Sequence, residues 1–407
     1  MKYFYIVLLT LAHFQINSQD QYAIVIEPVV DLLGQSMKKT HKGLDYYQNI
    51  PVSSVNSLDG VSCPRIHQLL FNETVKVLNE TAKEALIEVP NIFYQKYGSP
   101  IKKNIFWILK SNLVSLNKLK KLKIDISKFP EPIDFKKDIN NKKIITLVEP
   151  YYDKLTQMTY SAGTRFVYKD ESPNNYIVYI FDFKKLEFKP IEIPKNICIL
   201  NTNKSINNKV KNFIKLLKKW TLLENRFIPY VWGGSSFCNI CYDNTFDTIN
   251  MKKKGQQINY FQLPSYLDKI KTGFDCSGLI LRAAQICEIP FYFKNTITMA
   301  QNLDALSKTD KIENGDLIWI PGHIIAIVDV ENNLCVEAAD YSRGYGKVQK
   351  IELYKMFKDI NNFKDLKRCY LRKQKIKRLN SESKIIAEIP FKILKLKSAW
   401  RENNNPS

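Results

Sequence analysis

Apolar and polar positions alternate over most of the first half of the chain, and such alternation marks strands with two unlike faces. "QLLFNETVKVL" and "LIEVPNIFY" alternate on either side of the turn-rich "NETAKEA", which predicts a β-hairpin. "IFWILKSNLVSL" adds a further strand, so residues 20–118 read as one small β unit. A lysine-rich, proline-bearing linker follows, "KLKKLKIDISKFPEPIDFKKDINNKK". The next strands, in "IITLVEP", "YSAGTRFVYK", "NYIVYIFDF" and "LEFKPIEI", predict a second β unit over about 125–202.

Near residue 205 the period changes. In "NKVKNFIKLLKKWTLLENRF" the residues Phe213, Leu216, Leu217 and Trp220 recur at helical spacing, the mark of a helix with one face in a core. "PYVWGG" comes next, then a polar insert over 235–272, then "GFDCSGL" and an apolar stretch that predicts a helix over 277–287. "DLIWI", "HIIAIVDV" and "NLCVEAA" read as strands separated by turns. This mixed unit spans 205–372. Residues 373–407 are basic and show no clear period, so they predict a tail without assigned elements. The chain is therefore α+β, with two small β units ahead of one mixed unit.

Bulk properties narrow the function. With 407 residues and 45% hydrophobic content the chain can bury several cores. A formal charge of +21 suits an anionic partner, or follows from a lysine- and asparagine-rich bias spread over solvated faces. No basic run carries the interleaved glycines and aromatics of a nucleic-acid module, so no nucleic-acid partner is expected. The opening "MKYFYIVLLTLAHFQINSQDQ" has one lysine, an apolar run from Tyr3 to about Phe14, and then small and polar residues. That is the layout of a secretory signal peptide over 1–18, with an uncleaved anchor or a buried first strand as the alternatives. Export places the protein in the periplasm, outside the cell or in the wall. No later stretch reaches the ~18 apolar residues of a membrane span, and a monomer is expected.

The eight cysteines are scattered except for Cys238 and Cys241 in "CNIC", which fit a local disulfide or two free thiols. The spacing is half of a zinc site with no second half, so no metal or other cofactor is expected. Asn72 and Asn79 lie in sequons inside the expected hairpin and read as turn residues.

Cys276 stands at the start of an expected helix. Unpaired N–H groups and the positive end of the helix dipole favour a thiolate there. A nucleophilic cysteine needs a base, normally histidine. Of the chain's four histidines, His13 leaves with the leader and His41 and His67 fall in the first β unit, which leaves His323. It opens a strand whose edge can face a helix start. The next strand carries Glu337 among apolar neighbours, placed to orient the imidazole; Asp340 is the reserve.

"PYVWGG", "GFDCSGL", "NGDLIW" and "PGHIIAIV" occur in the order seen in NlpC/P60 cysteine peptidases, and residues 205–372 resemble that family. The two upstream units resemble bacterial SH3-like β-barrels. The resemblance implies a papain-like catalytic domain with Cys276 as nucleophile, His323 as general base and Glu337 at a third position that is most often histidine. It implies that Tyr230 helps stabilise the oxyanion and that Asp275 and Ser277 hold substrate, including a free amino end. It implies hydrolysis of peptidoglycan stem peptides at the D-γ-glutamyl–diamino acid bond. The alternatives are a cysteine amidase or acyltransferase on another substrate, or a catalytically degenerate wall-binding protein.

Overall fold

The structure, a computed structural model, describes residues 21–37, 63–95, 101–133, 144–183, 185–200, 204–222, 226–238, 241–242, 247–253, 256–262 and 272–401. The expected leader at 1–18 lies outside the described residues. No helix among them is long and apolar enough to cross a membrane.

The first unit is a seven-stranded antiparallel sheet. Its order is Arg65–Leu70, Val29–Leu33, Ile105–Leu109, Glu84–Glu88, Thr74–Glu80, Gln21–Val25 and Leu113–Ser115. The expected hairpin is present as the pair Thr74–Glu80 and Glu84–Glu88. The stretch "QLLFNETVKVL" is two strands, because Asn72 breaks it with a positive φ of 68°. Alternate residues Val30, Leu32, Ala85, Ile87, Phe106 and Ile108 fill one core. The second unit orders its strands Glu187–Pro194, Asn175–Asp182, Arg165–Glu171, Ile144–Leu147 and Cys198–Leu200. Phe71 of the first unit sits in the second unit's core, 4.9 Å from the Tyr160 ring, so the two are packed into each other. Among the described residues the end strands of neither sheet pair with each other, so main-chain bonds leave both sheets open where a barrel was expected.

The third unit is built on a five-stranded antiparallel sheet, ordered Lys347–Glu352, Leu334–Ala339, His323–Asp329, Leu317–Ile320 and Lys392–Leu394. Strand alternation splits its side chains between two cores. Leu317, Ile324, Ala326, Val328, Val336 and Ala338 face the helices Ile206–Trp220 and Cys276–Ile286. Ile318, Ile320, Ile325, Ile327, Cys335 and Ile393 face the other way, against Phe357, Phe363, Leu366 and Ile376. The helix Ile206–Trp220 buries Val210, Phe213, Leu216, Leu217 and Trp220, the stripe that its period predicts.

The C-terminal segment departs from the expectation of a basic tail over 373–407. Ile376–Leu379 and Ile385–Ile389 extend a small sheet begun by Phe357–Lys358, and Lys392–Leu394 forms the edge strand of the five-stranded sheet. The unit therefore runs past 372 to about residue 400. Its apolar positions come in runs of three to five residues, too short for a period to emerge, and they bury only because a pre-existing sheet accepts them.

The β units are joined to the third by buried polar contacts. Arg282, in the middle of the Cys276 helix, donates to the carbonyls of Ser235 and Gln68 and pairs with Glu73 at 2.7 Å. Arg65 pairs with Asp31 and donates to the Trp232 carbonyl. Strand Phe93–Gln95 of the first unit adds in parallel to the short strand Phe293–Lys294 of the third. Within the insert 235–272, the strands Asp247–Lys253 and Gln256–Gln262 form a hairpin.

Candidate active site

Cys276 is the first residue of the helix Cys276–Ile286, one position earlier than its apolar pattern predicts. Asp275 supplies the N-cap, accepting from the N–H of Gly278 and, at 2.8 Å, from the Ser277 hydroxyl. The helix start is pressed against main chain. A Cβ on Gly278 would lie 1.9 Å from the Gly234 carbonyl oxygen, so a glycine is required there.

The Asp275 carboxylate also receives Lys294 Nζ at 2.8 Å on each oxygen, and the lysine side chain is 1% exposed. The polar capacity of Asp275 and Ser277 is thus directed into the protein. Lys294 is not singled out by its residue type, although a lone lysine closing the apolar run "IPFYF" is a signal of burial.

Tyr230 packs in the same core as Cys276 and is held from behind, its carbonyl accepting from the Tyr341 hydroxyl at 3.0 Å. Burial, then the charges of Asp340, Cys276 and Asp275, push its phenol well up, so it stays protonated and able to donate.

His323 opens its strand as expected, and its Nε2 lies 2.7 Å from Glu337 Oε2. Glu337 is fully buried and is held by three other contacts. Arg378 Nη2 donates to both of its oxygens, at 3.0 and 2.7 Å, and Gln349 Nε2 donates at 3.0 Å. Asp340 caps the turn Tyr341–Arg343 by accepting from the Tyr341 N–H, so Glu337 is the carboxylate on the imidazole. Although burial opposes its charge, the Arg378 guanidinium and the His323 bond hold Glu337 well below the usual carboxylate range. Burial, then the Arg343 charge, pushes His323 down to about 4 against the pull of Glu337, leaving the ring neutral.

The thiol lies against the strand that His323 opens, sharing a core with Ile324. The main-chain N–H of Ile324, the residue after His323, is near enough to the Cys276 sulfur to pull its titration down. No hydrogen bond joins the sulfur to His323 among the described residues. Strand parity explains this. Ile324 points toward the Cys276 helix, while His323 and Glu337 share the face of Ile325 and Cys335. The expected thiolate is absent too: burial, then Asp275, pushes the Cys276 thiol up to about 12, outweighing the helix start and the nearby Arg343 and Lys294 charges. Cys238 is a free thiol donating to the Thr159 carbonyl at 3.6 Å; the side chain of Cys241 lies outside the described residues.

No model of a protein family matches the chain, and no curated protein matches it. Among solved structures it is similar to an NlpC/P60 family protein from Bacillus cereus ATCC 10987, at 13% sequence identity and a TM-score of 0.49, over 82% of this chain and 94% of that one.

Proposed function

We propose that the chain is an exported cysteine peptidase of peptidoglycan stem peptides, cutting at the D-γ-glutamyl–diamino acid bond, with two SH3-like units packed against the catalytic one. The observation that carries this reading is a cysteine at a capped helix start, packed in one core with Ile324, next in the chain to an imidazole whose Nε2 is fixed by a buried carboxylate. The Glu337 bond puts the proton of neutral His323 on Nε2, which leaves Nδ1 as the base. Cys276 attacks the scissile carbonyl as its proton passes to Nδ1, and the resulting imidazolium is stabilised by Glu337. The Cys276 N–H and the Tyr230 hydroxyl face the developing oxyanion; one such donor is worth about 3 kcal/mol. His323 then protonates the leaving amine and activates the water that clears the thioester. At rest both groups are neutral, so this is proton transfer during attack and not a standing ion pair. Catalytic hydrogen bonds are often long before substrate arrives and shorten in the complex.

The buried sulfur and the absent thiol–imidazole bond favour a second reading, a wall-binding protein without turnover. Incubation of the purified chain with free stem peptides and with sacculi, read by mass spectrometry, separates the two. Cleavage inside the stem that is lost in Cys276→Ala and His323→Ala supports the peptidase. Full turnover by His323→Ala removes the base assignment. A cut at the sugar–alanine bond, or an added acyl group, points to an amidase or acyltransferase instead.

A further inference from the structure

Buried guanidinium nitrogens normally find acceptors. Around Glu337 three do not: Arg343 Nη1, Arg378 Nε and Arg378 Nη1 are buried without a hydrogen-bond partner among the described residues. The Glu337 carboxylate is already committed to Arg378 Nη2, Gln349 and His323. One carboxylate thus stands among two cations, and donors are left over. Arg378 is 2% exposed and fixed by its bonds to Glu337 and by stacking over the Phe357 ring at 5.3 Å. Arg343 makes no side-chain hydrogen bond or ion pair among the described residues.

Arg343 is nevertheless held in place by its main chain. It lies in the turn Tyr341–Arg343, capped by Asp340 and closed by Gly344 in the left-handed conformation at φ 80°. Ser381 donates to its carbonyl at 3.1 Å, and Tyr341 anchors the turn on Tyr230. The guanidinium is close enough to Cys276, Tyr230, His323 and Glu337 to shift the titration of all four. A positive group with a spare buried donor therefore stands on a turn anchored to Tyr230, in the core that also holds Cys276.

We propose that Arg343, backed by Arg378, is a carboxylate-binding subsite beside Cys276, and that in a stem peptide it takes the free α-carboxylate of the γ-linked glutamyl residue. This rests on the peptidase reading above. A γ-linkage leaves that carboxylate on the same residue as the scissile carbonyl, a short carbon chain away, so both fit one small site. A guanidinium matches a carboxylate with two parallel N–H···O bonds. A carboxamide presents an N–H to the same donors, so amidated stems are disfavoured.

The test uses the full chain carrying Cys276→Ala, so that binding is read without turnover. The probes are L-alanyl-γ-D-glutamyl-L-lysine and the same peptide with its glutamyl α-carboxylate amidated, titrated calorimetrically. The acid is expected to bind on the order of 10- to 100-fold more tightly than the amide, as for a charged hydrogen bond made or lost. Arg343→Gln is expected to abolish that preference, and Arg343→Lys to retain part of it. Equal binding of the two peptides, a preference that survives Arg343→Gln in a folded variant, or no binding of either peptide overturns the proposal. Turnover of both peptides by the wild-type chain is read separately. An acid preference in binding without any hydrolysis keeps the subsite and removes the peptidase reading.

Discussion

Arg378→Met is the sharpest probe of how the third unit is assembled. In the folded chain Glu337 is fully buried and Arg378 nearly so, and their two contacts measure 2.7 and 3.0 Å. Methionine keeps much of the side chain's volume while removing the charge. What remains is an ionised carboxylate in a sheet core, with only Gln349 and His323 to meet it. Breaking one partner out of a buried pair costs about 3–5 kcal/mol. For a unit of this size that is a fall in melting temperature of roughly 6–20 °C. Trp220, Trp319 and Trp400 all lie in or against the core around the Cys276 helix, so tryptophan fluorescence during urea or thermal unfolding reports on it. The double variant Glu337→Gln/Arg378→Met removes both charges and is expected to recover most of the loss. The reasoning is refuted if Arg378→Met unfolds within 1 kcal/mol of wild type, or if the double variant is as unstable as the single one.

Three further outcomes follow from the same geometry. Gly278→Ala places a methyl against the Gly234 carbonyl, so the helix start must shift; a destabilisation of about 1–3 kcal/mol and lost stem-peptide turnover are expected, measured by urea unfolding and mass spectrometry. Burial depresses His323 to about 4, below its unfolded value of about 6.5, so as pH falls through that window the unfolded chain takes up a proton that the folded chain refuses. Wild type should therefore lose stability relative to His323→Asn between those limits, and parallel unfolding curves there would count against it. With its thiol pushed up to about 12, Cys276 should be alkylated by iodoacetamide at a rate rising steadily from pH 7 to 9 in peptide mapping; a plateau below pH 8 would show a standing thiolate instead.

Much of this architecture is readable along the chain. Strands that alternate against a single core announce themselves, as in Glu84–Glu88, and so does the stripe of the helix Ile206–Trp220. That Cys276 starts a helix, and that His323 and Glu337 stand on neighbouring strands, is legible from residue type and order alone. What resists reading is set by tertiary accommodation. Whether His323 faces the Cys276 helix depends on the parity of one strand, which shifts with a single residue of register. Lys294, Arg282, Arg343 and Arg378 are ordinary polar residues in sequence, and only packing reveals that they are inside. The last strands escape notice because each is short and leans on a sheet formed by residues far upstream.

The strand Phe93–Gln95 completes the edge on which Lys294 sits, and Lys294 is the cation that neutralises the carboxylate at the start of the Cys276 helix. Cut-and-paste modularity is therefore denied to this chain. A chimera that carries residues 204–401 behind foreign units would present a bare strand edge close to the Cys276 helix, inviting self-association where the native chain has a neighbour. Moving the third unit into another protein means transplanting the leading units with it.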